Sequence, residues 1–410
     1  MRSSIHLESL PDLAGLTAVA FLVLAAVYRF PAVPETFIAN IKLALFFGAI
    51  TISVVTLWMR RDLADALKIV AAFAIVLVAA SIIGLVQSDT SGAIRHLKTI
   101  ALPATGLLIG FAVWQYFAAK GLRYYAVVMT AVAAVAWLCS ALWYHDVGGL
   151  AYLRTGWSGS LAYASVITLV LMGLSTSTRS IVIWGGCYAI IASSQLYIGG
   201  RAGLLFPIAA YLIVLMAGFL GPRFRNSCLA VAIFLAVSLG SSTSSLLSSF
   251  RVATENDDGR YVNVVDKVAS GRLGLIYEAI NLIKKKPLTG WGFTDYRKTG
   301  LWKSESIVHN EWLKAWYQGG PLYLAGVSLA FLSLALFAWR ADGLSAATGF
   351  PPIFSAIVLC QFFTSMVEPN SIVGVFYKSS PLWVLLGAAT WIAMNRPGFA
   401  GVNRAGFAGG

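Results

Sequence analysis

Runs of about twenty apolar residues recur along this chain, and each one commits its segment to a bilayer. A hydrocarbon core about 30 Å thick is crossed by roughly 20 helical residues at about 1.5 Å each, and inside it every backbone amide and carbonyl must find a partner within the segment. Twelve such runs lie near 11–28, 36–58, 65–86, 98–118, 124–144, 158–175, 180–196, 202–220, 227–246, 321–339, 350–367 and 374–394. With 58% hydrophobic and 11% charged residues, the composition excludes soluble, fibrous and disordered classes. The spacing predicts an all-α polytopic membrane protein with about twelve transmembrane helices. Asp12 interrupts the first run and no small-residue cleavage pattern precedes the second, so no cleavable signal peptide is expected.

Charge then sets orientation. The net charge of +13 sits largely in short stretches between apolar runs, which reads as topology rather than as nucleic-acid binding. Arg2, Arg60, Arg61, Lys120, Arg123, Arg179, Arg223, Arg225, Arg340, Arg396 and Arg404 fall in one set of loops. The opposite short loops hold only Arg29, Arg95, Lys98, Arg154 and Arg201, so both termini are expected in the cytoplasm. Residues 1–246 then carry nine spans, 247–320 a large external loop, 321–394 three more spans, and 395–410 a flexible cytoplasmic tail. Cys139, Cys187, Cys228 and Cys360 all fall in apolar segments, so no disulfide framework is expected outside.

Transporters place ionisable groups near the midplane, facing a cavity. Here Lys42 and Lys68 lie near helix starts, within snorkelling reach, and Asp12, Glu368 and Lys378 lie at span boundaries. Bare helix centres disfavour a transporter or flippase, which remains the alternative from another class, and a scaffold role would leave the external polar groups unexplained. The polar content is concentrated in 247–320, with eleven Lys and Arg and eight Asp and Glu. That loop has no His or Cys spacing for a metal, and Asp257 and Asp258 are adjacent rather than spaced as a divalent-ion pair, so neither metal nor cofactor is expected.

Three external elements carry candidate chemistry. In the first, Ser270, Gly271 and Arg272 open LGLIYEAINLIKKK, whose Leu273, Ile276, Ile280 and Ile283 recur at helical spacing. Ser270 is placed to cap this amphipathic helix, and Arg272 at its positive end makes an anion site, unless it only pairs with Asp266 or Glu278. Lys284, Lys285 and Lys286 suit the other helix end and lipid headgroups, and Pro287 with LTGWGF stops the helix. The second element is ESIVHNEWLKAWYQGG, in which His309, Leu313 and Trp316 share a helical face. His309 either serves as a general base or is an ordinary structural histidine, and Asn310, Glu311 and Trp312 offer orientation and sugar stacking. The third is GGRAG, where glycines bring backbone close to a ligand and Arg201 offers a planar fork to phosphate, or simply anchors the interface.

Arg201 in GGRAGLL, Arg272 in SGRLGLIYEAINLIKKKPLTGWGF and His309 in HNEWLKAWYQGG, in that order, resemble the O-antigen ligase and polymerase superfamily of bacterial membrane glycosyltransferases. The likeness covers about residues 195–340 by motif and the whole chain by layout. It implies a GT-C-like fold in the bacterial inner membrane with a periplasmic active site, and a metal-independent glycosyl transfer from a glycan on undecaprenyl pyrophosphate. Arg201 and Arg272 would hold the pyrophosphate, and His309 would activate the acceptor. Ligases of the family use lipid A-core as acceptor, whereas the related polymerases use another lipid-linked sugar unit. The chain departs from the pattern at none of the three positions. It lacks the additional external domain of many protein O-oligosaccharyltransferases, which argues against a protein acceptor, and its length and single dominant loop favour a ligase. Glu305, Tyr277, Trp291, Asn310 and Trp312 are further candidates for lining the site.

Overall fold

The computed structural model describes residues 10–27, 35–143, 149–197, 201–217, 272–294, 308–346, 352–367, 372–373 and 376–394. Every regular element among them is helical. In chain order they are α1 (Leu10–Val27), α2 (Glu35–Met59), α3 (Leu63–Val86), α4 (Thr90–Tyr116), α5 (Leu122–Trp143), α6 (Gly149–Leu174), α7 (Thr178–Tyr197), α8 (Arg201–Met216), α9 (Arg272–Lys285), α10 (Glu311–Ala346), α11 (Ile353–Val367) and α12 (Phe376–Met394). A single π-helical turn, Phe117–Gly121, joins α4 to α5, and the rings of Tyr116 and Tyr124 stack across it at 6.3 Å.

Three stretches, Leu63–Val86, Thr90–Tyr116 and Glu311–Asp342, are long and apolar enough to cross a membrane, and shorter apolar helices accompany them. Helices lie over all the apolar runs of the sequence but the ninth, 227–246, which lies outside the described residues together with 247–271, 295–307 and the tail from 395. Large apolar side chains cover the outside: Trp58, Ile75, Ile82, Val182 and Leu329 are all more than half exposed. Such a surface would aggregate in water, and lipid solvates it. Burial is reserved for an equally apolar interior, with Trp383, Tyr125, Tyr188 and Phe111 fully enclosed.

With lipid as apolar as the helix faces, close packing has to supply the helix–helix attraction. The spacing Gly106-Leu-Leu-Ile-Gly110 puts two small residues on one face of α4, where α12 crosses. A Cβ at Gly110 would come within 2.7 Å of the Gly387 Cα and strike the Val384 carbonyl. Polar ties join other helices in the interior: the Tyr163 hydroxyl of α6 donates to Gln361 of α11. At one end of the bundle the buried Asp342 carboxylate accepts from the amides of Phe354 at 3.3 Å and Ser355 at 2.5 Å, capping the first turn of α11. The Asp12–Lys120 ion pair, 2.9 Å, belongs to the same end. The α3–α4 turn, the start of α10 and the last turn of α11 share the opposite end.

Leucine at Gly110 should therefore cost about 3 kcal/mol or more through overpacking of α4 on α12. Alanine at Gly48, whose Cβ would meet nothing within 4 Å, should leave stability unchanged or raised. Thermal unfolding in detergent measures both; equal stability of the two variants would contradict the α4–α12 contact.

Candidate functional site

The amphipathic helix α9 packs on the first turns of α10. Leu275, Ala279, Leu282 and Ile283 are buried with Val308 and Tyr317, and Trp291, Leu313 and Trp316 pack around them. The spacing predicts Leu273, Ile276, Ile280 and Ile283 as the apolar face, so the observed stripe is rotated by roughly a quarter turn at about 100° per residue. Aromatic bulk from outside the helix selects the stripe. The Trp291 indole donates to the Leu282 carbonyl at 2.9 Å and the Trp316 indole to the Pro287 carbonyl at 2.9 Å, which fixes both rings around the end of α9. Position 272 shares the helical register of 275, 279 and 283 at about 100° per residue. Tyr277 falls on the other side, 58% exposed. Lys286 stands over the Trp291 ring at 4.4 Å, while Lys284 and Lys285 are exposed.

After α9 the chain docks on two elements at once. The amides of Trp291 and Gly292 donate to the carbonyls of Tyr317 at 2.8 Å and Gln318 at 2.9 Å. Phe293 donates its amide to the Ser88 hydroxyl at 2.6 Å, and the Asp89 amide donates to the Thr294 hydroxyl at 3.1 Å. Gly320 breaks α10 at φ 71 before Pro321; a Cβ there would strike the Leu288 carbonyl. The GWGF and GGP motifs are thus one interlocking joint between α9, α10 and the α3–α4 turn. His96 sits at its centre, 6% exposed, with its ring stacked on Phe293 at 3.4 Å and edge-on to Tyr323 at 5.1 Å. Lys314 is near enough for its charge to act on that ring. The sequence does not single out His96, because its pairing with Phe293 joins residues far apart in the chain; the one available signal is its position seven residues past the helix cap Asp89.

The sequence spacing predicts His309 inside the helix; it is half-buried and lies just ahead of α10, which starts at Glu311. Asn310 is the reason. Its side-chain oxygen accepts from the Leu313 amide at 2.9 Å, an N-cap, and its Nδ2 donates to the Met366 carbonyl at the end of α11 at 3.1 Å. Glu311 follows in the first turn, 3% exposed. The Trp312 indole donates to Ser365 at 2.9 Å and its ring packs on Phe331 and Phe362, so it ties α10 to α11. Phe362 meets Phe363, and Phe363 meets Phe206 of α8 at 5.9 Å. Farther along α8, Tyr211 lies against Gly173 at the far end of α6, so α8 runs away from the His309 end and begins there with Arg201.

The backbone positions of Arg201, Arg272 and His309 therefore flank one end of the bundle. Arg272 is three residues before Leu275, and Leu275 shares a cluster with Val308, the neighbour of His309. The side chains of Arg201 and Arg272, and the whole of Glu305, lie outside the described residues. Among the described residues no three His, Cys, Asp or Glu side chains come together as a metal site requires. No protein-family model matches this chain, and no curated protein matches it.

Asn310→Ala should cost about 1 kcal/mol through the lost cap and should speed amide hydrogen exchange in the first turn of α10. Tyr277→Ala should leave that exchange unchanged. A rate in Asn310→Ala equal to the parent's would contradict the capping role.

Proposed function

We propose that this protein is a membrane glycosyltransferase of the O-antigen ligase type, passing a polysaccharide from undecaprenyl pyrophosphate to lipid A-core in lipopolysaccharide biosynthesis. The observation that carries the reading is the gathering of two arginine-led helix starts and the His309 segment around the outer end of α11. In the proposed topology of twelve spans with both termini cytoplasmic, that end is periplasmic, and the arrangement is GT-C-like.

The chemistry follows from the residue types. Helix starts at Arg201 and Arg272 place first-turn amides outside the intrahelical ladder at the positive end of the helix dipole, and each arginine adds a guanidinium. Together they suit a pyrophosphate, with the arginines in the place a divalent ion would otherwise take. The acceptor hydroxyl passes its proton to the His309 imidazole as its oxygen bonds to the anomeric carbon. The bond from that carbon to the phosphate oxygen breaks, and the electron pair leaves with the pyrophosphate. This is one displacement with inversion. Asn310, by capping α10 and holding the Met366 carbonyl, fixes the backbone that presents His309. Among the described residues no cluster of charged groups lies midway along the helices, which favours transfer at the surface over transport.

Arg201→Ala and Arg272→Ala are each expected to lower transfer about a hundredfold, equivalent to about 3 kcal/mol in the barrier, and Arg→Lys to lose much of that because the fork is gone. His309→Ala should lower it strongly as well. The assay is reconstitution with purified lipid-linked glycan and lipid A-core, read by gel shift; full activity in all three variants contradicts the mechanism. Chelator should leave the parent's activity intact, and a loss restored by Mg²⁺ or Mn²⁺ would count against the arginine clamp. Product formed on a second lipid-linked unit instead of lipid A-core would make the protein a polymerase.

A further inference from the structure

At the end of the bundle away from His309, α2 closes with a backbone device that ordinarily calls for glycine. The Asp62 amide donates to the Leu57 carbonyl at 2.9 Å and the Arg61 amide to the Trp58 carbonyl at 3.0 Å, the paired bonds of a Schellman cap. The residue that must turn left-handed in this motif is Arg61, at φ 63, the one non-glycine residue with positive φ among those described. An L-residue in that conformation is strained relative to glycine. A long basic side chain kept there against that cost has a task of its own.

Arg60 supplies the second observation. One of its Nη atoms donates to the Ala112 carbonyl of α4 at 2.9 Å, and the other is buried with no partner among the described residues. Burial pushes this guanidinium below its ordinary value, against the opposing pull of the Asp62 charge. Burial also holds the Asp62 carboxyl above its usual range, and no ion pair joins the two. A buried guanidinium donor left unpaired has lost its water without replacement, a cost that an anionic acceptor would recover.

The surroundings say what kind of anion. Trp58 and Met59 just before the arginines, and Leu67 just after, are 69%, 44% and 47% exposed. An exposed tryptophan two residues before a pair of arginines is the pattern of a segment at headgroup level. Asp65, the other carboxylate nearby, is engaged by Lys68 at 2.9 Å. Across the 24 residues of α3, about 36 Å, lies the end that carries His309, so this feature takes no part in the transfer proposed there.

We propose that Arg60 and Arg61, at the α2–α3 turn against α4, bind the phosphate of an anionic phospholipid headgroup. The phosphate oxygens accept from the second Nη of Arg60 and from the exposed Arg61 guanidinium, and the acyl chains lie on the apolar flank of Trp58, Met59 and Leu67. In the proposed topology this is the cytoplasmic leaflet, where anionic lipids concentrate basic segments.

The test is thermal unfolding of the full-length protein in nonionic detergent, titrated with phosphatidylglycerol, with phosphatidylcholine of the same chains, or with inorganic phosphate. Phosphatidylglycerol alone should raise the unfolding temperature. Arg60→Gln and Arg61→Gly should each weaken that lipid's apparent affinity about fivefold. Arg61→Gly should also raise the lipid-free unfolding temperature, because it relieves the left-handed arginine; this variant keeps the test sound if Arg60→Gln folds poorly. Equal protection by both lipids, an equal shift with inorganic phosphate alone, or unchanged phosphatidylglycerol affinity in Arg61→Gly would overturn the proposal.

Discussion

The Phe293 amide donates to the Ser88 hydroxyl at 2.6 Å, and around that bond two parts of the chain 205 residues apart close into one structure. On one side is the turn between two membrane-length helices, α3 and α4; on the other is the amphipathic segment that carries Arg272 and leads to His309. Irregular backbone at the edge of a bilayer is tolerated only where its amides and carbonyls are paired. The joint meets that condition densely: Trp291 and Gly292 bond to α10, Phe293 and Thr294 to the α3–α4 turn, and His96 stacks on the Phe293 ring. Without it α9 would hold to α10 through its own apolar stripe and the Trp316–Pro287 hydrogen bond.

The same joint explains the shape of α10. Gly320 adopts a conformation reserved for glycine because the Leu288 carbonyl occupies the space a side chain would need. The helix therefore bends between a short first part, which faces α9 and the end of α11, and a long second part that runs through the bundle. Asn310 and Trp312 tie the first part to Met366 and Ser365. The His309 segment is held from two sides, by α9 through Val308 and by α11 through Asn310.

Much of this was legible in the sequence, because apolar runs and turn residues act locally. The apolar runs mark where the helices fall, GGP marks the break in α10, and KKKP marks the end of α9. What the sequence could not show are features decided by partners far away in the chain. The buried stripe of α9 is chosen by Trp291 and Trp316, not by the periodicity of Leu273, Ile276 and Ile280. His309 falls outside its helix because Asn310 has a second partner in α11, which makes it a cap. Trp312, with the residue type of a sugar-stacking platform, spends its indole on Ser365. The Gly106–Gly110 spacing was readable but says nothing by itself about which helix crosses there.

In the two proposals the ends of the bundle have different tasks: at one, arginine-led helix starts and His309 would serve a pyrophosphate; at the other, Arg60 and Arg61 would serve a lipid headgroup. The most direct measurement of the central claim is an experimental structure of the protein with a polyprenyl pyrophosphate bound. The expected result is a diphosphate between the Arg201 and Arg272 guanidiniums with the His309 imidazole facing the sugar-bearing oxygen. A diphosphate held elsewhere, or the three residues turned away from one another, would contradict it.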